Sequence, residues 1–575
     1  MDRLKHILVL TLLLSYQQIV FGQNNNSIAE LNKIDQNLRE SVFITTNANS
    51  YLTGETLLYN IFCTDKITKA LSKHSKVVYF ELINSEKKTV VSQKIFLENG
   101  AGNGDFFIPT TFETGTYKIV GYTNWMLNKN IEEYFSTDIF IINPYKEKLA
   151  LTGDQKETAS LEPIADENIS FDFKNKTFNN RSKIDLKINT SSDDFLNGNY
   201  TVSVRKSDGF SAQKKKSVKE YQAENQNKDL NEITTLNFTL PELRGEIISG
   251  RISSTTAEIK NKKVALSLIG KDYDLKIAMT DQQGRFIFNL EKSNPNPNIV
   301  IQLLEENKEK YVIELDKPKK IDFSSLTYSN FQLNSESSKN ITERLISSQV
   351  ENAYYNIKKD SLVASGNFVP FYGSKSTEFR LDEFTRFQTV AETITEILNG
   401  VIYKKENNNY SIQIFDFDEN YESPLPPLVA VDGLIIEDLK EFFSYNSKNI
   451  DKVNVVKGLY YYGAKTFNGL IFFSTKKGDY ETSLKGDFIL KPELIRPQAR
   501  KEYFHPDYSN SKNDRIPDYR HQLLWIPNTP IISSSISFYT SDVSGKFEVT
   551  LEGFSFSGKP VYIKEIIEVQ DTISN

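Results

Sequence analysis

SVFITTNANSYLTGETLLYNIFC, residues 41–63, decides the fold class. β-branched and aromatic residues fill both of its halves, and an Asn/Ser/Gly-rich break divides them, which is the pattern of two strands joined by a turn. The reading extends outward in both directions. KVVYFELIN (76–84), VVSQKIFLEN (90–99), GDFFIPT (104–110), GTYKIVGYTNW (115–125) and DIFIINPY (138–145) are further strands, punctuated by Gly, Asn and Ser at the spacing of a sandwich. Upstream, Ile28, Leu31, Ile34 and Leu38 fall near helical spacing and predict a short amphipathic helix. The first domain is expected over 23–146.

The start of the chain assigns a compartment. Arg3 and Lys5 precede the apolar run Ile7–Leu14, and Gly22 precedes the polar QNNNS. This is the layout of a signal peptide, residues 1–22. The run is far shorter than the ~20 apolar residues of a spanning helix. Mass spectrometry of the native protein is expected to find an N-terminus near Gln23, and a retained Met1 would refute export by this route. No Cys follows the apolar run, so lipid attachment at a new N-terminal Cys is not expected. Cys63 is the only cysteine, so no intrachain disulfide can form and each domain must rely on its core. The 575 residues leave room for roughly four domains. A net charge of −6 with no basic stripe argues against nucleic acid as a partner.

The first segment carries a resemblance. ITTNANSYLTGETLLYNIF (44–62) resembles the opening of the second macroglobulin-type domain of the α2-macroglobulin family, in which a strand runs through a Tyr-x-x-Gly-Glu turn into the next. GTYKIVGYTNWM (115–126) resembles a later segment of its bacterial versions. The family's thioester Cys-Glu-Gln is absent, since Cys63 sits in FCTD, and covalent trapping is excluded on that ground.

A second β-sandwich is expected over 147–240, from FDFKN, KIDLKINTS and NGNYTVSVRKS; Lys214–Lys216 near its end read as a solvated loop. Residues 245–317 resemble a carboxypeptidase-regulatory-like sandwich, carried by Thr280-Asp281-x-x-Gly284-x-Phe286. Asp281–Gly284 predicts a hairpin turn, with Phe286 and Phe288 facing inward. Residues 318–365 form a connector with a helix carrying Ile341, Leu345, Ile346, Val350 and Ala353.

Residues 366–485 carry the most specific signal. Phe384, Phe387, Val390, Ile394, Ile397 and Leu398 make a helical stripe. PLVAVDG (427–433) and NIDKVNVVKGLYYYGAKTFNGLIFFSTKKGD (449–479) follow. Together they resemble the plug domain of TonB-dependent outer-membrane receptors. The matching positions include Asp432, Gly433, Gly458, Gly463 and Gly469, read here as structural residues of turns and close packing. A receptor of that family continues into a barrel of many ~10-residue strands. Only 95 residues follow Tyr480, so no barrel is expected, and no TonB-binding box is evident near the start. Residues 486–575 alternate as a C-terminal β domain. This order of modules resembles a group of Bacteroidota envelope proteins. The expected fold is therefore mainly β and multidomain: tandem macroglobulin- or fibronectin-like sandwiches with one small α/β plug-like domain.

Catalytic chemistry finds little support. The histidines are His6, His74, His505 and His521, with no zinc-binding spacing. A Ser/His/Asp triad stays open by spacing, without a Gly-x-Ser-x-Gly elbow. Gly100, Gly102 and Gly104 lack the Lys-Ser/Thr of a phosphate loop. Asp416, Asp418 and Glu419 lack the Gly and distal Glu of a calcium loop. No catalytic residue, metal or cofactor is expected. The candidate interface is the Pro-broken stretch 503–526, with Tyr508, Arg515, Tyr519, Arg520 and Trp525, because Tyr, Trp and Arg dominate binding energy at interfaces. Packing of this arm on its own sandwich stays open. The expected function is a non-enzymatic accessory or scaffold of the outer membrane or periplasm. Its expected partners are outer-membrane proteins, a β-barrel complex among them. The alternative is a glycan- or peptide-binding module of an uptake system; a hydrolase has no motif behind it. The partner's identity and the oligomeric state are open.

Overall fold

The computed structural model describes residues 32–146, 162–190, 192–207, 215–225, 238–330, 333, 337–363, 368–406, 409–415, 424–509, 516–531 and 535–571. The architecture is mostly β, with 44% of the described residues in strands and 14% in helices. Among the described residues no helix is long and apolar enough to cross a membrane. The chain divides into two compact units that interleave in sequence: 1–245, 319–363 and 497–575 make unit 1, and 246–318 and 364–496 make unit 2.

Unit 1 begins with a helical stretch at 32–37, followed by an eight-stranded sandwich. Its strands are β1 (Glu40–Thr46), β2 (Ser50–Leu52), β3 (Thr56–Asp65), β4 (Val77–Ile83), β5 (Thr89–Phe96), β6 (Ala101–Phe107), β7 (Gly115–Thr123) and β8 (Phe135–Ile142). One sheet runs β1-β3-β6 and the other β2-β8-β7-β4-β5. The near-continuous apolar character of 41–63 has a physical reason, since β1 and β3 are covered on both faces. Inward they pack on the five-stranded sheet, with Tyr59 stacked on Phe80 at 4.1 Å. Outward they meet the second sandwich, where Phe62 lies 5.5 Å from Phe554 and Asn60 donates to Thr201 Oγ1 at 2.8 Å. A strand buried on both faces loses its alternation.

That second sandwich draws on both ends of the chain. Its larger sheet orders the strands Thr177–Asn179, Pro560–Gln570, Gly545–Phe554, Asn199–Lys206 and Gln522–Thr529. In the smaller sheet Lys183–Leu186 pairs with Ile536–Tyr539. The segments read separately as 147–240 and 486–575 thus share one core, with Val202, Val204, Val549, Leu551 and Ile563 buried together. Neither half supplies enough strands to close two sheets alone. The helix of the expected connector, Ser337–Ala353, also belongs to unit 1. Its Arg344, almost fully buried, donates to Glu55 Oε1 at 2.9 Å and Oε2 at 2.5 Å, and Ser348 and Asn352 bond the Gly54 carbonyl.

Unit 2 joins a small sandwich to a mixed sheet. The sandwich has the sheets Arg285–Leu290, Glu246–Ser253, Val312–Leu315 and Asp274–Met279, Lys263–Leu268, Ile299–Leu303, Ile489–Leu490. Asp281 tightens its turn by accepting from Gln283 N–H (2.8 Å) and Arg285 N–H (2.9 Å). Yet the turn is not a hairpin, because Asp274–Met279 and Arg285–Leu290 enter opposite sheets. Phe286 and Phe288 point into the core, 5.5 Å apart.

The mixed sheet orders Thr377–Arg380, Ile450–Tyr462, Lys465–Thr475, Leu428–Val431 and Leu434–Ile435. One face packs on the helices Val390–Ile397 and Leu439–Phe443 through Val453, Val455, Ile471 and Phe473. The other packs through Leu470 and Phe472 on Tyr273, Leu275 and Ile277 of the sandwich. Segments 246–318 and 364–496 therefore form one body. The helix begins at Val390, not at Phe384. Thr389 caps it with a full capping box to Glu392; a short 3-10 turn ends at Glu383, residues 384–389 are not helical, and Phe384 is exposed.

Candidate docking surface

The aromatic arm turns inward. Trp525 is buried at 2% exposure in Gln522–Thr529, and Arg520 at 9%. Arg520 donates to both oxygens of Asp518 (2.7 and 2.8 Å) and to the Leu523 carbonyl (3.0 Å). Burial opposes this charge, but Asp518 holds the guanidinium above its ordinary pKa. Tyr508 donates to Asp518 Oδ2 at 2.6 Å, and Arg181, itself bidentate on Asp542, lies over the Tyr508 ring at 5.0 Å. Tyr519 alone of these faces solvent, at 37%. Arg515 lies outside the described residues. The arm is a strap of its own sandwich, because Tyr508 and Arg520 both meet the buried Asp518 and Trp525 is buried.

Among the described residues one serine hydroxyl lies against a histidine ring. His521 Nε2 lies 3.2 Å from Ser347 Oγ. Burial, then Arg344, Arg205 and Lys206, push the imidazole down to about 2, so it is too weak a base to draw a proton from serine. His505 is pushed down to about 4 by burial and Arg520. Gly102 and Gly104 lie inside β6, in extended chain. Among the described residues no group of three or more His, Cys, Asp or Glu is placed to hold a metal. Asp416, Asp418 and Glu419 lie outside them. The Cys63 thiol is buried in β3, and burial pushes its pKa well up.

The Asp432-Gly433 turn is braced by buried hydrogen bonds and forms a support. Asp432 (φ 49°) and Gly433 (φ 91°) form a two-residue turn with Val431 opposite Leu434, the mirror-image geometry that Asp-Gly favours in hairpins. The buried Asp432 carboxylate accepts from Thr475 N–H (2.7 Å), Thr475 Oγ1 (2.6 Å) and Tyr480 N–H (3.1 Å). Thr475 Oγ1 in turn accepts from Gly478 N–H at 2.9 Å. Read as a turn residue alone, Asp432 should tolerate Asn; this network overturns that. An amide keeps one acceptor oxygen and sets an NH2 against a backbone N–H, a buried mismatch of about 1–3 kcal/mol. Asp432→Asn is expected to lower the denaturation midpoint of unit 2 accordingly, by circular dichroism. Gly458 sits at the irregularity in Ile450–Tyr462, Gly469 across from it, and Gly463 in the hairpin turn, where it approaches the Ile277 carbonyl.

Above this support the two long strands run on as a hairpin to Tyr462 and Lys465. Its inner face is packed: Tyr462 stacks on Phe371 at 4.0 Å, Tyr460 donates to the Phe371 carbonyl at 3.2 Å, and Phe467 is buried. Its outer face carries Lys457, Leu459 (48% exposed) and Tyr461 (76%), with Asn468 and Thr466 opposite. Pairing with Thr377–Arg380 stops at Val455, so among the described residues no strand covers that edge of 456–462. Sequence reading placed this stretch in the motif but did not single out Leu459 or Tyr461. The period-two signal was present; which face stays bare is a tertiary fact.

No protein-family model matches the chain, and no curated protein matches it. Solved structures do. α2-Macroglobulin from Salmonella reacted with methylamine is 9% identical over 93% of this chain and 40% of that one, with a TM-score of 0.23. The native conformation of Escherichia coli α2-macroglobulin is 11% identical over 93% and 40%, also at 0.23. A β-glucosidase from Listeria innocua in complex with gluconolactone matches 18% of this chain and 16% of its own, at 13% identity and 0.13. The chain thus spans about 40% of the length of these macroglobulins.

Proposed function

We propose that this protein is an exported, non-catalytic docking subunit of the bacterial cell envelope, whose plug-like unit binds an outer-membrane protein. The observation that carries the reading is the outer face of the hairpin, where Leu459 and Tyr461 are exposed beside an edge that no described strand covers. An extended loop or terminal segment of a β-barrel partner can pair with such an edge while Tyr461 supplies an anchor. In receptors the corresponding domain is enclosed by barrel; here the partner would supply the enclosing surface.

Deleting 366–480 is a poor test, since those residues share a core with 246–318. The test is the double variant Leu459→Ser, Tyr461→Ser in the full-length chain, fractionated beside the wild type. The variant is expected to fold and be exported but to lose its co-purifying outer-membrane partner. Equal co-purification refutes the hairpin as the docking face. A retained oligosaccharide in place of a protein would favour the glycan-binding alternative.

A further inference from the structure

Among the described residues the first sandwich has two strand edges, facing one cleft, that no further strand covers along their full length. β8 pairs with β7 along 135–141, but its other edge meets β2 only over Phe140–Ile142. Phe140 N–H donates to the Asn49 carbonyl and Thr53 N–H to the Ile142 carbonyl, so the even-numbered residues of β8 direct their backbone groups to that edge. Alternation along a strand then aims the N–H and C=O of Ser136 and Asp138 the same way. β1 is likewise an edge strand. Arg39 C=O and Asn47 N–H bond toward β3, so Val42, Ile44 and Thr46 direct theirs outward. Between these edges lies a cleft of about 300 Å³ lined by Ile44, Thr46, Thr116, Phe135–Phe140, Ser329 and three lysines.

The lysines define what would fit. Lys118, Lys215 and Lys216 line the cleft against a single acid, Asp138. Lys118 Nζ is held 2.5 Å from Asp138. Lys215, read from sequence as part of a solvated loop, is fixed: it donates to Thr45 Oγ1 (2.6 Å), the Thr46 carbonyl (2.8 Å) and Glu552 (3.1 Å). Lys216 pairs with Glu224 where both are exposed, an arrangement that water screens and a ligand carboxylate can replace at little cost. The open stretch of β8, five residues long, spans roughly 16 Å.

We propose that this cleft accepts an acidic, extended peptide segment of a partner protein, added as a strand to the Phe135–Ile139 edge with its carboxylates toward Lys215 and Lys216. The outward backbone groups of Ser136 and Asp138 supply the ladder, and the lysines select the charge. This surface is independent of the hairpin in unit 2, so either can fail alone.

The test uses the full mature chain and two fluorescein-labelled heptapeptides, Glu-Val-Thr-Val-Glu-Val-Thr and its counterpart with lysine for glutamate, read by anisotropy and amide hydrogen exchange. The acidic peptide is expected to bind at least tenfold tighter and to slow exchange across Phe135–Ile139. Lys216→Glu is expected to weaken it at least tenfold without altering the fold, and Ser136→Pro, which removes an edge N–H, to abolish it. Equal binding of both peptides, binding of neither, unchanged exchange across 135–139, or unchanged affinity in Lys216→Glu overturns the proposal. Preferential binding of a peptide of this chain's own residues 147–161 also overturns it, by assigning the cleft an internal occupant.

Discussion

Gly433→Val is expected to unfold unit 2 at a much lower denaturant concentration than the wild type while leaving unit 1 in place. Two effects add. The backbone at Gly433 has φ 91°, which a β-branched residue adopts only under strain, and a Cβ there would lie 2.5 Å from Tyr273 Cβ. Strain of about 1–3 kcal/mol and overpacking of about 1–3 kcal/mol give a loss of roughly 2–6 kcal/mol. The turn alone, without Tyr273 behind it, would account for only about 1–3 kcal/mol. The two units can be followed separately, because both tryptophans, Trp125 and Trp525, fall in unit 1. Tryptophan fluorescence should therefore keep its wild-type transition while the far-ultraviolet signal acquires an earlier one. A single unshifted transition in both signals would refute the account.

Arg520→Leu is expected to do the reverse. It strips Asp518, itself buried, of its bidentate partner, leaving Tyr508 and the more distant Lys358 at 3.9 Å. Breaking a buried pair from one side costs about 3–5 kcal/mol, and the remaining lysine puts this case near the lower end. The tryptophan transition should shift and the unit 2 transition should not. If Arg520 were an interface anchor, the same variant would release a partner with no change in stability, so one unfolding experiment separates the two roles.

What was legible in the sequence was what local chemistry decides. Asp432-Gly433 between apolar runs marks a tight turn wherever it lies in the fold, and Asp281–Gly284 marks one too. Whether a turn joins neighbours in one sheet or passes between sheets depends on remote strands, and there the Asp281–Gly284 reading missed. The helix start was written in Thr389 and Glu392, but the apolar stripe from Phe384 drew the boundary upstream. Aromatic and Arg content marks burial and binding alike, so Tyr508, Arg520 and Trp525 were ambiguous until Asp518 and Asp542 were seen beside them. The pairing of Lys183–Leu186 with Ile536–Tyr539 leaves no local trace.

That pairing has a kinetic consequence. During synthesis the strands Lys183–Thr190 and Asn199–Lys206, each with an apolar face, emerge long before Gln522–Thr529 and Gly545–Phe554 exist to receive them. Unit 2, whose segments lie wholly between, can close first and bring positions 245 and 497 to a fixed separation. The loop that the last strands must then close is shortened, which lowers its entropic cost. Until they arrive, the waiting strands are exposed apolar edges of the kind that aggregate. Refolding of the isolated chain should be slow for unit 1 and faster for unit 2, and a holding chaperone would act in the interval between them.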